Sequence, residues 1–153
     1  MSVQPIIRSI TVKAPPAQAF ILFADHIKHW WKKGSTLGKK PHVDLVIEKM
    51  AGGRWFERDE DGAEADWGKV LAYEPPARLL LGMQLNKSFK FDPSVTTEVE
   101  VTFAPDGGGG TLVRLEHRNL ERLGAGAEQM IAGMTAGWTG HVEAFGRYAD
   151  AAG

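Results

Sequence analysis

Alternating apolar and polar positions divide most of this chain into short extended segments, and only its last stretch changes to a helical period. Ile6 to Lys13 alternates and is rich in β-branched residues, which predicts a strand. Ala14-Pro15-Pro16 ends it, because proline donates nothing to a ladder and restricts its predecessor, and Pro16 can then open a helix. Ala17 to Ala24 continues that helix with Phe20 and Phe23 at helical spacing, and Asp25 to Lys33 reads as a second short helix or turn that exposes Trp30 and Trp31. Six further strands follow: Val43–Lys49, Arg54–Arg58, Ala65–Tyr73, Ala77–Leu85, Thr96–Phe103 and Thr111–Leu120. Between them stand the turn signals Ala51-Gly52-Gly53, Asp61-Gly62, Glu74-Pro75-Pro76 and Pro105 to Gly110, while Asn86 to Val95 reads as a longer loop holding Phe89 and Phe91. Strands joined by turns this short predict an antiparallel meander.

From Glu128 onward Met130, Met134, Trp138, His141, Phe145 and Tyr148 recur at three- and four-residue steps, one face of an amphipathic helix of about five turns. A sheet with one buried face needs a cover, and this helix is long enough to supply it. The expected fold is therefore α+β: a curved antiparallel sheet wrapped around a long C-terminal helix, as one domain over residues 1–153. Gly133, Gly137 and Gly140 run at i, i+4, i+7 within the helix, each at a cost of about 1 kcal/mol against alanine. A stripe of small residues lets something approach the backbone, whether the sheet, a partner helix or a ligand.

Parity along the strands selects the inward polar residues. In Arg54 to Arg58, Glu57 shares a face with Trp55; in Thr111 to Asn119, His117 shares a face with Val113 and Leu115. A carboxylate and an imidazole inside an apolar space can orient a ligand or do acid/base work. They can equally form a structural hydrogen-bonded pair, or leave Glu57 to an arginine at the rim.

Composition removes several other chemistries. The absence of cysteine excludes disulfides, thiolate catalysis and cysteine-ligated zinc. His26, His29, His42, His117 and His141 are scattered and form no metal-binding motif; no phosphate-binding loop or nucleophile elbow is present, and no cofactor is expected. A net charge of −1 favours neither nucleic acid nor an anionic membrane, and Lys32-Lys33 and Lys39-Lys40 read as solvated loop charges. The opening MSVQPIIRSI does not have the form of a signal peptide and no apolar run is long enough to span a bilayer, so a cytoplasmic protein is expected.

The segments KAPPAQAFILFAD, GGRWFERDEDG, WGKVLAYEPPARLLL and TLVRLEHRNLERLG, followed by a late Gly-Trp in the terminal helix, occur in an order that resembles the SRPBCC (START-like, helix-grip) superfamily. Within it the chain resembles the bacterial branch related to the C-terminal domain of the activator of the ninety-kilodalton heat-shock chaperone's ATPase. The resemblance implies a seven-stranded sheet gripping the helix, with a cavity for hydrophobic ligands between them. Its members include lipid carriers, polyketide cyclases, hormone-binding allergens and co-chaperone domains. The motifs WFER and LEHR place Trp55, Glu57 and His117 here, and Met83 stands where relatives often carry tryptophan.

Three functions follow from these expectations. The first is binding of a small hydrophobic molecule in a cavity lined by Phe20, Phe23, Trp30, Trp55, Glu57, Met83, Leu115, His117, Met134 and Trp138. The second is a cyclase, dehydratase or hydrolase using Glu57 and His117. The third is a co-chaperone-like interaction module with a chaperone partner. The Trp30-Trp31 pair offers either a pocket lid or a homodimer contact.

Overall fold

A computed structural model describes residues 3–32 and 34–152; Lys33 of the basic pair, and Met1 and Ser2 of the opening segment, lie outside them. Seven strands form one antiparallel sheet: β1 (Ile6–Val12), β2 (His42–Ile47), β3 (Arg54–Asp59), β4 (Glu64–Glu74), β5 (Arg78–Met83), β6 (Thr97–Pro105) and β7 (Thr111–Arg118). Their order across the sheet is β1-β7-β6-β5-β4-β3-β2, so β2 to β7 are the expected meander and β1 adds to the free edge of β7. Helices α1 (Pro16–Ala24) and α2 (Ile27–Trp30) follow the first strand, with proline at the first helical position as expected. Helix α3 (Glu128–Ala152) lies in the curl of the sheet. At 25 residues it is two turns longer than its apolar stripe announces, because its ends are solvated and carry no periodic signal. A single turn of 3₁₀ helix, Leu120–Leu123, connects β7 to it and escaped the sequence pattern.

Helix and sheet meet most closely where Gly146 faces Ile10 of β1, a contact a Cβ would turn into a collision. Arg8 of β1 also donates from Nε to Thr139 Oγ1 at 2.9 Å, fixing the helix against the sheet edge. The convex face is held by ion pairs across neighbouring strands, such as Arg118 between Glu98 and Glu100. There Phe56 is covered by the Arg54 guanidinium, 3.9 Å above its ring, while Trp55 and Glu57 on either side of it point inward as parity requires.

Two β-bulges interrupt β4. Trp55 faces Gly68 but Phe56 faces Asp66, and Val70 faces Leu81 but Ala72 faces Leu80, so Trp67 and Leu71 are the extra residues. An extra residue re-aims its side chain. Trp67 is thereby turned inward and buried among the other tryptophans.

Candidate functional site

A cleft of about 450 Å³ opens between the N-terminal half of α3 and the far ends of β4 and β5. Its helix side is Met130, Gly133, Met134, Gly137, Trp138 and His141. Trp67 and Met83 supply the sheet side, and Trp31 closes one end. The rim is polar, with Ser35, Lys87, Ser88 and Gln129 beside the ring of Phe89. A Cβ placed on Gly133 or Gly137 would meet no atom within 4 Å, so these two glycines are not sites of helix-on-sheet packing; they set the depth of the cleft. Gly140, next on the stripe, is instead covered by the end of the Lys32 side chain, its Nζ nearest.

Of the residues expected around the cavity, Met83, Met134 and Trp138 border this cleft. Phe20, Phe23 and Trp30 pack with Phe103 and Phe145 into the aromatic core under α1, and Leu115 and Trp55 are fully buried in the same core, Trp55 edge-to-face with Trp31. The expectation that Trp30 and Trp31 are exposed is corrected: both are 4% exposed. Adjacent side chains on so short a helix diverge. Trp30 turns into the core and donates Nε1–H to Leu22 O at 3.1 Å, whereas Trp31 turns to the cleft and donates to Ser35 O at 3.0 Å. Trp31 is thus a wall rather than a lid, and the indole pair offers no exposed dimer contact.

Glu57 and His117 are buried as parity predicts, but the structure does not pair them with each other. They stand on β3 and β7, four strand spacings apart at about 4.8 Å each along the curved sheet. Glu57 instead accepts four hydrogen bonds: Oε1 from Leu37 N (2.8 Å) and Trp67 Nε1 (2.9 Å), Oε2 from Thr36 Oγ1 (2.6 Å) and Gly38 N (3.1 Å). Among the described residues no arginine reaches it. His117 Nδ1 accepts from Trp138 Nε1 at 3.0 Å, so in the neutral ring the proton sits on Nε2 and is donated to Thr97 Oγ1 at 2.8 Å. Each inward polar group therefore anchors the indole N–H of one cleft wall. Trp67 and the 36–38 segment depend on Glu57; Trp138 depends on His117.

Burial pushes the His117 imidazole down to about 4, and His141 is likewise held at about 4, by burial first and then by electrostatic repulsion from Lys32 and His42. His141 stacks on Trp31 with ring centroids 3.8 Å apart, and its Nδ1 is buried without a hydrogen-bond partner among the described residues. Both rings are neutral at pH 7. The unfolded chain binds protons at these histidines near pH 6.5 and the folded chain only near pH 4, so stability falls as pH is lowered through that window and levels off below it. Thermal melts between pH 7 and 4 are expected to show this decline, with a shallower slope in His117→Gln.

Among the described residues no cluster of three or more potential metal ligands occurs, and no helix is long and apolar enough to cross a membrane. A family model described as Activator of Hsp90 ATPase homolog 1-like protein matches residues 13–150. The chain belongs to this family. Its seven-stranded grip on a long helix is the SRPBCC fold that the ordered motifs anticipate. No curated protein matches the chain significantly. Among solved structures, members with the same fold include the anthrahydroquino-gamma-pyrone synthase Txn09, at 31% identity and TM-score 0.68, covering 96% of this chain and 97% of that one. The self-sacrificing resistance protein CalC from Micromonospora echinospora is 32% identical with TM-score 0.75, covering 97% and 96%. The Aha1 dimer from Colwellia psychrerythraea shares the fold at 17% identity and TM-score 0.68, covering 97% of both chains.

Trp67 is the site residue that alternation missed, since the bulge beside it reverses the parity of β4. Trp31 and His141 were visible as residue types, but nothing in a four-residue helix tells which of two adjacent indoles faces a cavity.

Proposed function

We propose that this protein binds a small, largely apolar molecule with a planar ring system in the cleft over Gly133 and Gly137. The observation that carries the reading is the open space above those two glycines. A helix that gives up about 1 kcal/mol of propensity at each, without using the room for packing, keeps the room for something else. The walls suit a flat apolar guest: Trp31, Trp67 and Trp138 offer large faces, and Met83, Met130 and Met134 adapt to its outline. A volume near 450 Å³ lies within the ordinary range of small-molecule sites. A relative at 31% identity is named for making an anthrahydroquino-gamma-pyrone, which is a fused-ring compound.

The hydrogen bonds of Glu57 and His117 support binding over acid/base catalysis by that pair. Each is fully engaged in holding a tryptophan, and they stand on strands remote from each other. Titration with 4-methylumbelliferone, a planar bicycle that absorbs where tryptophan emits, is expected to give saturable quenching of the intrinsic fluorescence. Quenching that only rises linearly to the solubility limit would contradict the proposal.

A further inference from the structure

Beside the cleft lies a second concavity of about 540 Å³, between the convex end of β3–β4 and the segment 89–91. Its character is different. Arg54, Glu64, Asp66 and Lys90 form its polar sides, and Phe89 and Phe91 face it. These two rings are 41% and 44% exposed, unusual for phenylalanine. One short segment borders both spaces: Lys87, Ser88 and Phe89 rim the cleft, and Phe89, Lys90 and Phe91 line the outer concavity. Phe89 is shared. Its backbone is held at φ 60°, a left-handed conformation that a bulky residue rarely adopts, and Asn86 Oδ1 fixes the turn by accepting from Ser88 N and Lys90 N.

We propose that the outer concavity is a subsite for a polyhydroxylated, sugar-like substituent of the ligand whose ring system lies in the cleft; this rests on the binding reading above. Charge selects the class. Two carboxylates, Glu64 and Asp66, stand against Arg54 and Lys90. Arg58 behind them is shared between Glu64 (Nη2 to Oε2, 2.9 Å) and Asp44 (Nη1 to Oδ2, 3.3 Å), so the charges balance and a neutral polar group fits better than an ion of either sign. Arg54 is held rigidly between its partners, with Nη2 2.6 Å from Asp66 Oδ1 and Nη1 3.1 Å from Glu64 Oε1. The carboxylates keep lone pairs open to accept from hydroxyls, and the Lys90 ammonium can donate to them. The exposed faces of Phe89 and Phe91 match the C–H faces of a pyranose ring. An apolar guest would instead have to desolvate an ion pair with nothing in return.

Calorimetric titration of 4-methylumbelliferone and its β-D-glucoside tests this directly. The glucoside is expected to bind about 3- to 10-fold more tightly, the range of one aromatic contact. Phe91→Ala is expected to remove that advantage and leave the constant for 4-methylumbelliferone unchanged, and Lys90→Ala to reduce the advantage. A glucoside that binds no better than the parent overturns the outer subsite while leaving the cleft in place. Absence of binding by both overturns the cleft reading, and the subsite falls with it.

Discussion

Replacing Glu57 with alanine is expected to destabilise the protein by about 3–5 kcal/mol, because several buried donors lose their acceptor at once. Leu37 N, Gly38 N, the Thr36 hydroxyl and the Trp67 indole all converge on one carboxylate that is 2% exposed. For a chain of this size that corresponds to a fall in melting temperature of roughly 10 °C or more. Glu57→Gln keeps the shape but presents an NH₂ group where two donors point, so it should recover only part of the loss. The defect should also be local. Freed from Glu57, the 36–38 segment and Trp67 lose their reference position, so residual folded Glu57→Gln protein should bind 4-methylumbelliferone more weakly. Urea denaturation and fluorescence titration of the two variants separate these effects. Substitution without loss of stability would mean that the carboxylate does not organise the segment.

The second large effect has the opposite sign for stability. Gly133→Ala and Gly137→Ala should each raise stability by about 1 kcal/mol, since a methyl group meets no atom within 4 Å and alanine restores helix propensity. Gly146→Ala should destabilise, because there the methyl group collides with Ile10. Larger side chains make the trade visible: Gly137→Leu fills the cleft and should weaken binding by at least ~10-fold, about 1.4 kcal/mol, in a protein that melts no lower than the parent. A stripe kept for folding would show the reverse, with every substitution along it destabilising. Gain of stability with loss of binding is the pattern of a site maintained at a cost to the scaffold.

The legible parts of this molecule are those where local physics and final geometry share a period. β7 alternates without interruption, so Val113, Leu115 and His117 point inward and Arg114, Glu116 and Arg118 outward as the sequence requires. β3 alternates less plainly, since Phe56 on its outer face is buried under the Arg54 guanidinium between the inward Trp55 and Glu57. Prolines 15 and 16 and the Asp61-Gly62 hairpin mark element boundaries through dihedral preference, and the apolar period after Glu128 marks the helix through its buried face. Parity stops short in two ways. It gives a face and not a lateral position, which is why Glu57 and His117 look like a pair in sequence and are separated by the strand order. It also fails at bulges, so Trp67 stands on the wrong parity until the extra residue at Asp66–Gly68 is known. The glycine stripe was visible as a stripe, but its three positions meet two different surroundings in space: open cleft at Gly133 and Gly137, and the end of the Lys32 side chain at Gly140.

The central claim is one of place, that a planar guest lies over Gly133 and Gly137, and the methionine methyl groups report on place directly. Met83, Met130 and Met134 line the cleft, whereas Met50 sits in the β2–β3 turn, 61% exposed and away from it. In ¹H–¹³C spectra of methyl-labelled protein titrated with 4-methylumbelliferone, the signals of Met83, Met130 and Met134 are expected to shift saturably with a common constant while Met50 stays fixed. If those three stay fixed, or if Met50 moves as much as they do, the guest is not in the cleft.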